Sequence, residues 1–358
     1  MLVGIALAAL GRASASWPWL VEWHRNTGLP VLSAFLQAVF GAGETSRGEA
    51  AVVLLVALLL VLLFRRPRAG LPYLAIATGL VAFLFYATWG LAYRYSPLTT
   101  RFSPSGDISR PSVTELVQFA EQSARLVARA ASASIDFSGP DDEFLRRIDR
   151  GVEAGFVRVP LELDASPIRQ VAFGQTRPSR VSFALSRLQL SGYYFPWTGE
   201  AHINAQMPRT QWPRTVGHEK AHQRGHAREN DATVMGVLAC LKSSDPTVFY
   251  GGALGLFAAF DREVARVDRA ARRGVWALLP ARAVQDFEAE SAFWRLREGV
   301  AAEVSERVND TYLKAQGVQS GVASYGETTI LFLQAIRNPR LQLAELLTPA
   351  SPPRPEPE

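Results

Sequence analysis

With 358 residues the chain is long enough for one large domain or two ordinary ones, and 48% apolar against 20% charged residues excludes a wholly disordered polypeptide. A single cysteine, Cys240, excludes an intramolecular disulfide framework and any cysteine-rich zinc module. The net charge of +5 comes from basic residues scattered singly, with none interleaved with aromatics as a stacking platform, so no nucleic-acid partner is expected.

The N-terminal quarter differs from the rest. Its first residues, MLVGIALAALGRASASWPWL, are apolar and then small, which fits either a signal peptide or a first span over about residues 2–20. The span is preferred because a membrane hairpin follows. Ala50–Phe64 is strongly apolar, and Ala69–Tyr93 carries no charge at all. A bilayer core of ~30 Å takes ~20 such residues in a helix. Spans are therefore predicted over residues 49–66 and 70–93, with Trp89, Tyr93 and Tyr95 suiting an interface. Arg65, Arg66 and Arg68 crowd the connecting loop, which assigns it to the cytoplasm and the long remainder of the chain to the other side of the lipid bilayer.

From about Pro97 onward the pattern is mainly helical. Val113, Leu116, Val117, Ala120 and Val127 form one apolar stripe, with Pro111 just ahead as a start signal. Helices are predicted over Ser112–Ala130, Pro140–Ala154, Asn230–Lys242, Thr247–Ala271, Pro280–Ser305 and Glu327–Arg337. Val248–Phe260 is apolar but too short to span and reads as a buried helix. Strand-like text is confined to Gln170–Phe173, Val181–Leu185, Leu190–Phe195 and Glu200–Asn204, and the proline-rich tail 348–358 reads as disordered. The expected class is α+β: transmembrane helices within residues 1–96, then a helix-rich domain over 97–347 with a small sheet just ahead of one particular helix.

That helix carries His218-Glu219-Lys220-Ala221-His222. The HExxH spacing puts two imidazoles one helical turn apart on the same face, where both reach one zinc ion. The glutamate between them stands beside the metal's water and takes its proton, giving a nucleophile at neutral pH. Only five histidines occur in the chain, and His218, His222 and His226 fall within nine residues. The competing reading is a surface helix with incidental histidines, weakened by the apolar Val216 and Ala221 beside them.

A third ligand is needed. Gly225 stands where HExxHxxG enzymes turn out of the helix, but Arg228 occupies the position of their third histidine and cannot bind zinc. Glu229 is the best remaining candidate, with Asp231 close behind. Seven residues past His222 is ~10 Å along a continuous helix, so Glu229 as a ligand requires the chain to break near Gly225 and fold back. Its bland alternative is a cap or first-turn acid of the next helix. His226 is a fallback ligand. Tyr312 and Tyr325, in a polar, turn-rich region, are candidates to donate a hydrogen bond to an oxyanion, and Gly199–Ala205 is a candidate edge strand for an extended peptide substrate.

The set WGLAYRY, GYYFPWTGEAHIN, PRTVGHEKAHQRGHARENDA and VNDTYLKAQGVQSGVASYGE, in that order after a membrane hairpin, resembles the bacterial membrane family called domain of unknown function 3810. That resemblance implies a zincin-like metallopeptidase domain in a multi-pass inner-membrane protein, zinc ligands at His218 and His222 and a general base at Glu219. It also exposes a departure, since Thr233 stands where the family tends to have asparagine, which puts the support of the metal site in question. The expected function is a membrane-anchored zinc peptidase with Glu219 and Tyr325 catalytic, His218, His222 and Glu229 binding zinc, and a peptide or protein as substrate. The alternative is a non-catalytic membrane sensor or scaffold with a structural or vestigial zinc site.

Overall fold

The computed structural model describes residues 13, 16–43, 45–65, 67–102, 111–160, 173–315 and 325–348, without the side chains of 67–71, 312, 315, 325 and 326. Among these residues the chain is mostly helical, with one three-stranded sheet. Of the possible first span at 2–20 only residues 13 and 16–20 are described; the tail 348–358 lies, except for Thr348, outside the described residues, as do residues 170–172 of the first expected strand.

A helical run opens the described chain: α1 (Pro18–Trp23), a π-helical turn at His24–Gly28, and α2 (Leu29–Phe40). Then α3 (Arg47–Arg65) and α4 (Pro67–Thr88) pack against each other as a hairpin. Among the described helices only α3 is long and apolar enough to cross a membrane; the apolar part of α4, Pro72–Thr88, is shorter. The span expected over 70–93 ends early because Trp89 leaves the helical conformation, and a 3-10 turn at Gly90–Arg94 folds onto the rest of the protein. Trp89, Tyr93 and Tyr95, expected at a lipid interface, are instead buried in protein, packed with Leu29, Ala92, Ala227 and Leu313. Both open ends of the hairpin, near Arg47 and Thr88, therefore meet the polar domain, and the arginine-rich loop lies at the far end.

After α5 (Leu98–Phe102), the domain builds one large core. Helix α6 (Val113–Ala131) starts with a capping box in which Ser112 and Glu115 exchange hydrogen bonds, and α7 (Asp141–Arg158) starts after Pro140. Helices α9 (Trp212–Gln223), α10 (Glu229–Leu241) and α11 (Pro246–Val267) pack on them, and α15 (Tyr325–Arg337) closes the other side. Helix α11 includes the apolar stretch Val248–Phe260, which is buried in this core as expected. Further helices complete the fold: α8 (Ser182–Arg187), α12 (Arg269–Trp276), α13 (Ala281–Arg295), α14 (Val300–Ala315) and α16 (Leu343–Leu347).

Two helices expected as single pieces are broken. Thr247–Ala271 divides at Asp268, whose extended backbone and carboxylate cap the amides of Ala270 and Ala271. Pro280–Ser305 divides between Arg295 and Val300, just ahead of which stands Gly299. Asn309–Lys314, read as turn-rich, is helical within α14.

The sheet has the order β1-β3-β2, with β1 (Arg177–Pro178) parallel and β2 (Gly192–Phe195) antiparallel to β3 (Glu200–Ile203). The strand expected at Val181–Leu185 is α8 instead, because the Ser179 hydroxyl accepts from the Val181 amide and turns the chain into a short helix. Strand β3 is central, so Gly199–Ala205 is not an edge; among the described residues that role falls to β2 on the side of the motif helix. Residues alternate across β3. Ile203 joins the core with Trp212 and Val216, while Glu200 and His202 are buried on the other face. There Glu200 pairs with Arg177 at 2.5 Å and accepts from the amides of Arg47 and Gly48, tying the start of α3 to the sheet.

Candidate metal centre

The motif helix α9 is pinned before its chemistry begins. Pro213 occupies its first turn, and the indole of Trp212 is buried, donating to the Met207 carbonyl. Lys220 is fully buried, held by Glu153 at 2.7 Å and Asp149 at 3.2 Å on α7 and by the Gly174 carbonyl. Burial works against the Glu153 charge, but Lys220 and Arg224 hold its carboxyl at about 2. Lys220 thus turns to α7 rather than to the cleft, and does not sit over the carboxylate of Glu219.

The helix then ends as zinc sharing with Glu229 requires. Gly225 takes a left-handed φ of 87°, the Gly225 amide bonds the His222 carbonyl, and the His226 amide bonds the Ala221 carbonyl. This is the paired hydrogen-bond pattern of a Schellman cap, and only glycine adopts its backbone without strain. Arg228 caps the turn from outside, donating to the carbonyls of Tyr93 and Tyr95 at the hairpin's mouth. The chain folds back, and α10 crosses α9 at Gly217 and Gly236. A Cβ on Gly236 would come within 2.5 Å of the Gly217 carbonyl carbon and the His218 nitrogen, so the two backbones touch.

This crossing brings Glu229, the first residue of α10, to the two imidazoles. His218 Nε2 lies 3.1 Å from His222 Nε2 and 3.1 Å from Glu229 Oε2, and His222 Nε2 lies 3.6 Å from Glu229 Oε1. A zinc ion held at ~2.0–2.1 Å by tetrahedral ligands separates neighbouring donors by ~3.3 Å. Here each imidazole meets a different oxygen of Glu229, and one ligand atom from each of the three residues lies within 4.8 Å of the others, close enough to converge on one ion. The outer ring nitrogens are both engaged, His218 Nδ1 with the Thr233 hydroxyl at 3.2 Å and His222 Nδ1 with the His226 carbonyl at 2.7 Å. Both Nε2 atoms are thereby left facing the common point. Thr233 supplies the partner that its substitution for asparagine had put in question.

Asp231, the alternative ligand, does not join the group; its carboxylate is buried near the Leu98 amide and the Arg228 guanidinium. His226 contributes its backbone carbonyl rather than a ligand nitrogen to the cluster. Glu229 is at once a first-turn acid and a member of the donor triangle, so its two readings do not compete.

Charge at the site is strongly coupled. Burial pushes the Glu219 carboxyl up to about 7, with the two imidazoles opposing and Glu229 adding to the rise. Burial disfavours charge on His222, but the Glu229 carboxylate and its hydrogen bond raise the imidazole to about 9. Burial likewise opposes ionisation of Glu229, and the imidazoles of His222 and His218 hold it well below the usual carboxylate range.

His218, Glu219 and Glu229 open onto a cleft of about 780 Å³, whose lining includes Ser191 and Gly192 of the sheet side and Asn309 of α14. Gly192 is next to the acid: a Cβ there would meet Glu219 Oε1 at 2.7 Å. On the closed side, Trp89 meets the His222 ring edge-on at 5.7 Å and packs at a tilt on Tyr194 at 4.8 Å. Neither aromatic was visible as a site residue in the sequence, since each reaches His222 only through tertiary packing. Tyr325 opens α15, and the first turn of that helix is tied to the site by Thr328 donating to Asn230 at 2.7 Å. The side chains of Tyr325 and Tyr312 lie outside the described residues.

Fold and site together define a mostly helical chain with a membrane-length helix and a two-histidine, one-carboxylate cluster on an HExxH helix that folds back at Gly225. The family described as "Protein of unknown function (DUF3810)" matches residues 25–333, and the chain belongs to that family. No curated protein and no solved structure matches it.

Proposed function

We propose that the protein is a membrane-anchored zinc metallopeptidase. The observation that carries this reading is the convergent donor cluster of His218, His222 and Glu229 at the wall of an open cleft, with the Glu219 carboxyl beside it. A structural zinc site takes four protein ligands and is closed, whereas three donors beside a cleft match a catalytic one. His218, His222 and Glu229 would hold the ion, which when bound supplies Lewis acidity toward a carbonyl and acidifies water.

The chain's own residues do the rest. Glu219, buried beside the two imidazoles, takes the proton of the attacking water and hands it to the leaving amine. The free edge of β2, whose Gly192 borders both Glu219 and the cleft, aligns an extended peptide by strand addition. Tyr325 is proposed to donate a hydrogen bond to the oxyanion. The placement of the arginine-rich loop at the far end of the hairpin from the domain supports a multi-pass inner-membrane topology with the loop cytoplasmic and the site outside.

The test is metal content by mass spectrometry together with Glu219→Gln. Near one zinc per chain, kept in the variant while peptide hydrolysis falls by about 10²–10⁴, is the expected result. Full activity in Glu219→Gln, or no stoichiometric zinc after zinc is offered, overturns the reading.

A further inference from the structure

The run α1–α2 has two faces of different fate. Its inner face is built into the protein. His24 bonds the Tyr95 hydroxyl at 2.6 Å and the Ala87 carbonyl at 3.0 Å, and Leu29 packs on Trp89 and its neighbours. Gln37 bridges the Gly199 carbonyl and the Gly174 amide. Along α2 the exposed residues are Val31, Ala34, Phe35, Ala38 and Val39, and none is polar. Val31 and Phe35 are 65% and 61% exposed. A helix lying on a domain in water carries charge on its outer face, and this one carries none.

Three observations name the occupant. A short way along the chain α3 follows, and from Val52 onward its side chains are likewise apolar and outward. The run meets the hairpin at its mouth: His24 bonds Ala87 at the end of α4, and the Arg47 guanidinium at the start of α3 donates to the Val39 carbonyl. It therefore crosses the mouth instead of lying along the hairpin. Trp17, Trp19 and Trp23 are exposed around its start, the residue type that settles at headgroup level.

We propose that α2 (Leu29–Phe40) is an in-plane membrane helix, with Val31, Phe35 and Val39 seated in the headgroup–acyl boundary of a phospholipid bilayer, so that it fixes the domain carrying the HExxH helix against the membrane surface. The proposal rests on the anchoring role of α3 but not on catalysis.

Nitroxide labels on single cysteines test it in the full chain reconstituted in vesicles of phosphatidylethanolamine and phosphatidylglycerol. Suitable positions are Val31→Cys, Phe35→Cys and Val39→Cys, with Leu58→Cys on α3 and Val267→Cys on the domain as references. All five positions are exposed, and the native Cys240 is buried with its thiol pushed up to about 12, so it stays unlabelled. The expected result is collision with oxygen exceeding collision with a water-soluble nickel chelate at 31, 35 and 39, at one shared depth ~5–10 Å below the phosphates. Leu58 then reports the bilayer interior and Val267 reports water. A depth that increases steadily from 31 to 39 makes the helix a span and overturns the proposal. Dominant nickel collision at all three also overturns it. Low collision with both reagents, together with concentration-dependent spin–spin broadening, replaces lipid by a second copy. If Leu58 also reports water, the anchoring reading fails along with the seat.

Discussion

Thr233 decides how His218 is aimed. Its hydroxyl is 3.2 Å from His218 Nδ1, and no other partner of that nitrogen is described. In Thr233→Val, similar in shape but without the hydroxyl, the ring keeps its place and loses its orientation. Zinc affinity should fall about 10- to 100-fold while the fold is retained, read by competition with a chromophoric chelator. Unchanged affinity would show that the hydroxyl plays no part. The same residues set a pH dependence. His222 is raised to about 9 when no ion is bound, so it carries a proton at pH 7, yet an imidazole must be neutral to bind a metal. Metal binding at pH 7 should therefore release about one proton from this ring, and affinity should fall about tenfold per pH unit below 9. Calorimetry in buffers of different ionisation enthalpy measures the released proton directly; a proton count of zero would contradict the charge state derived for His222.

At the scale of elements, the site exists because two helices touch through glycine. Gly217 and Gly236 let the backbones of α9 and α10 meet, and this contact carries Glu229 and Thr233 to the motif. A methyl group at position 236 has nowhere to go, since its neighbours are backbone atoms of Gly217 and His218. Gly236→Ala should cost about 1–3 kcal/mol of stability through overpacking and also weaken zinc binding, although Gly236 binds nothing. Thermal unfolding and zinc titration check both parts; normal affinity would mean that the donor triangle does not depend on the crossing. The motif itself was legible in the sequence because its information is local: HExxH spacing fixes a face, and a glycine after it fixes a turn. Glu229 could be inferred conditionally, since its participation follows once Gly225 breaks the helix. The glycine crossing was not legible, because which helix lies across Gly217 is a matter of tertiary packing. The misplaced strand and the broken helices have a similar origin, in side-chain caps at Ser179 and Asp268 that override short apolar patterns.

At the scale of the molecule, the sequence separates a membrane-like quarter from a polar remainder, but the structure joins them. Trp89, which hydropathy alone assigns to lipid, is a wall of the His218–His222–Glu229 cluster, and Glu49 at the start of α3 accepts from Ser179 and from Tyr193 of β2. The hairpin is therefore part of the site's scaffold and not a tether on a flexible linker. If the chain is the membrane-anchored peptidase proposed above, one consequence concerns its substrate. A centre in ring contact with the mouth of the hairpin is held within a side-chain length or two of the hairpin's end, and α2 would press it toward the lipid. Chains that emerge from the same bilayer meet the cleft at an effective concentration that a soluble protein does not reach. A reporter with a cleavable stretch beginning ~5 residues from its own anchor keeps the start of that stretch within ~17 Å of the surface. Such a reporter, reconstituted in the same vesicles, should be cut at least about tenfold faster than the same stretch in a soluble protein at equal bulk concentration. The advantage should vanish when reporter and enzyme occupy separate vesicles. Equal rates in all three arrangements would mean that the cleft faces open solvent and that the hairpin only holds the enzyme in place.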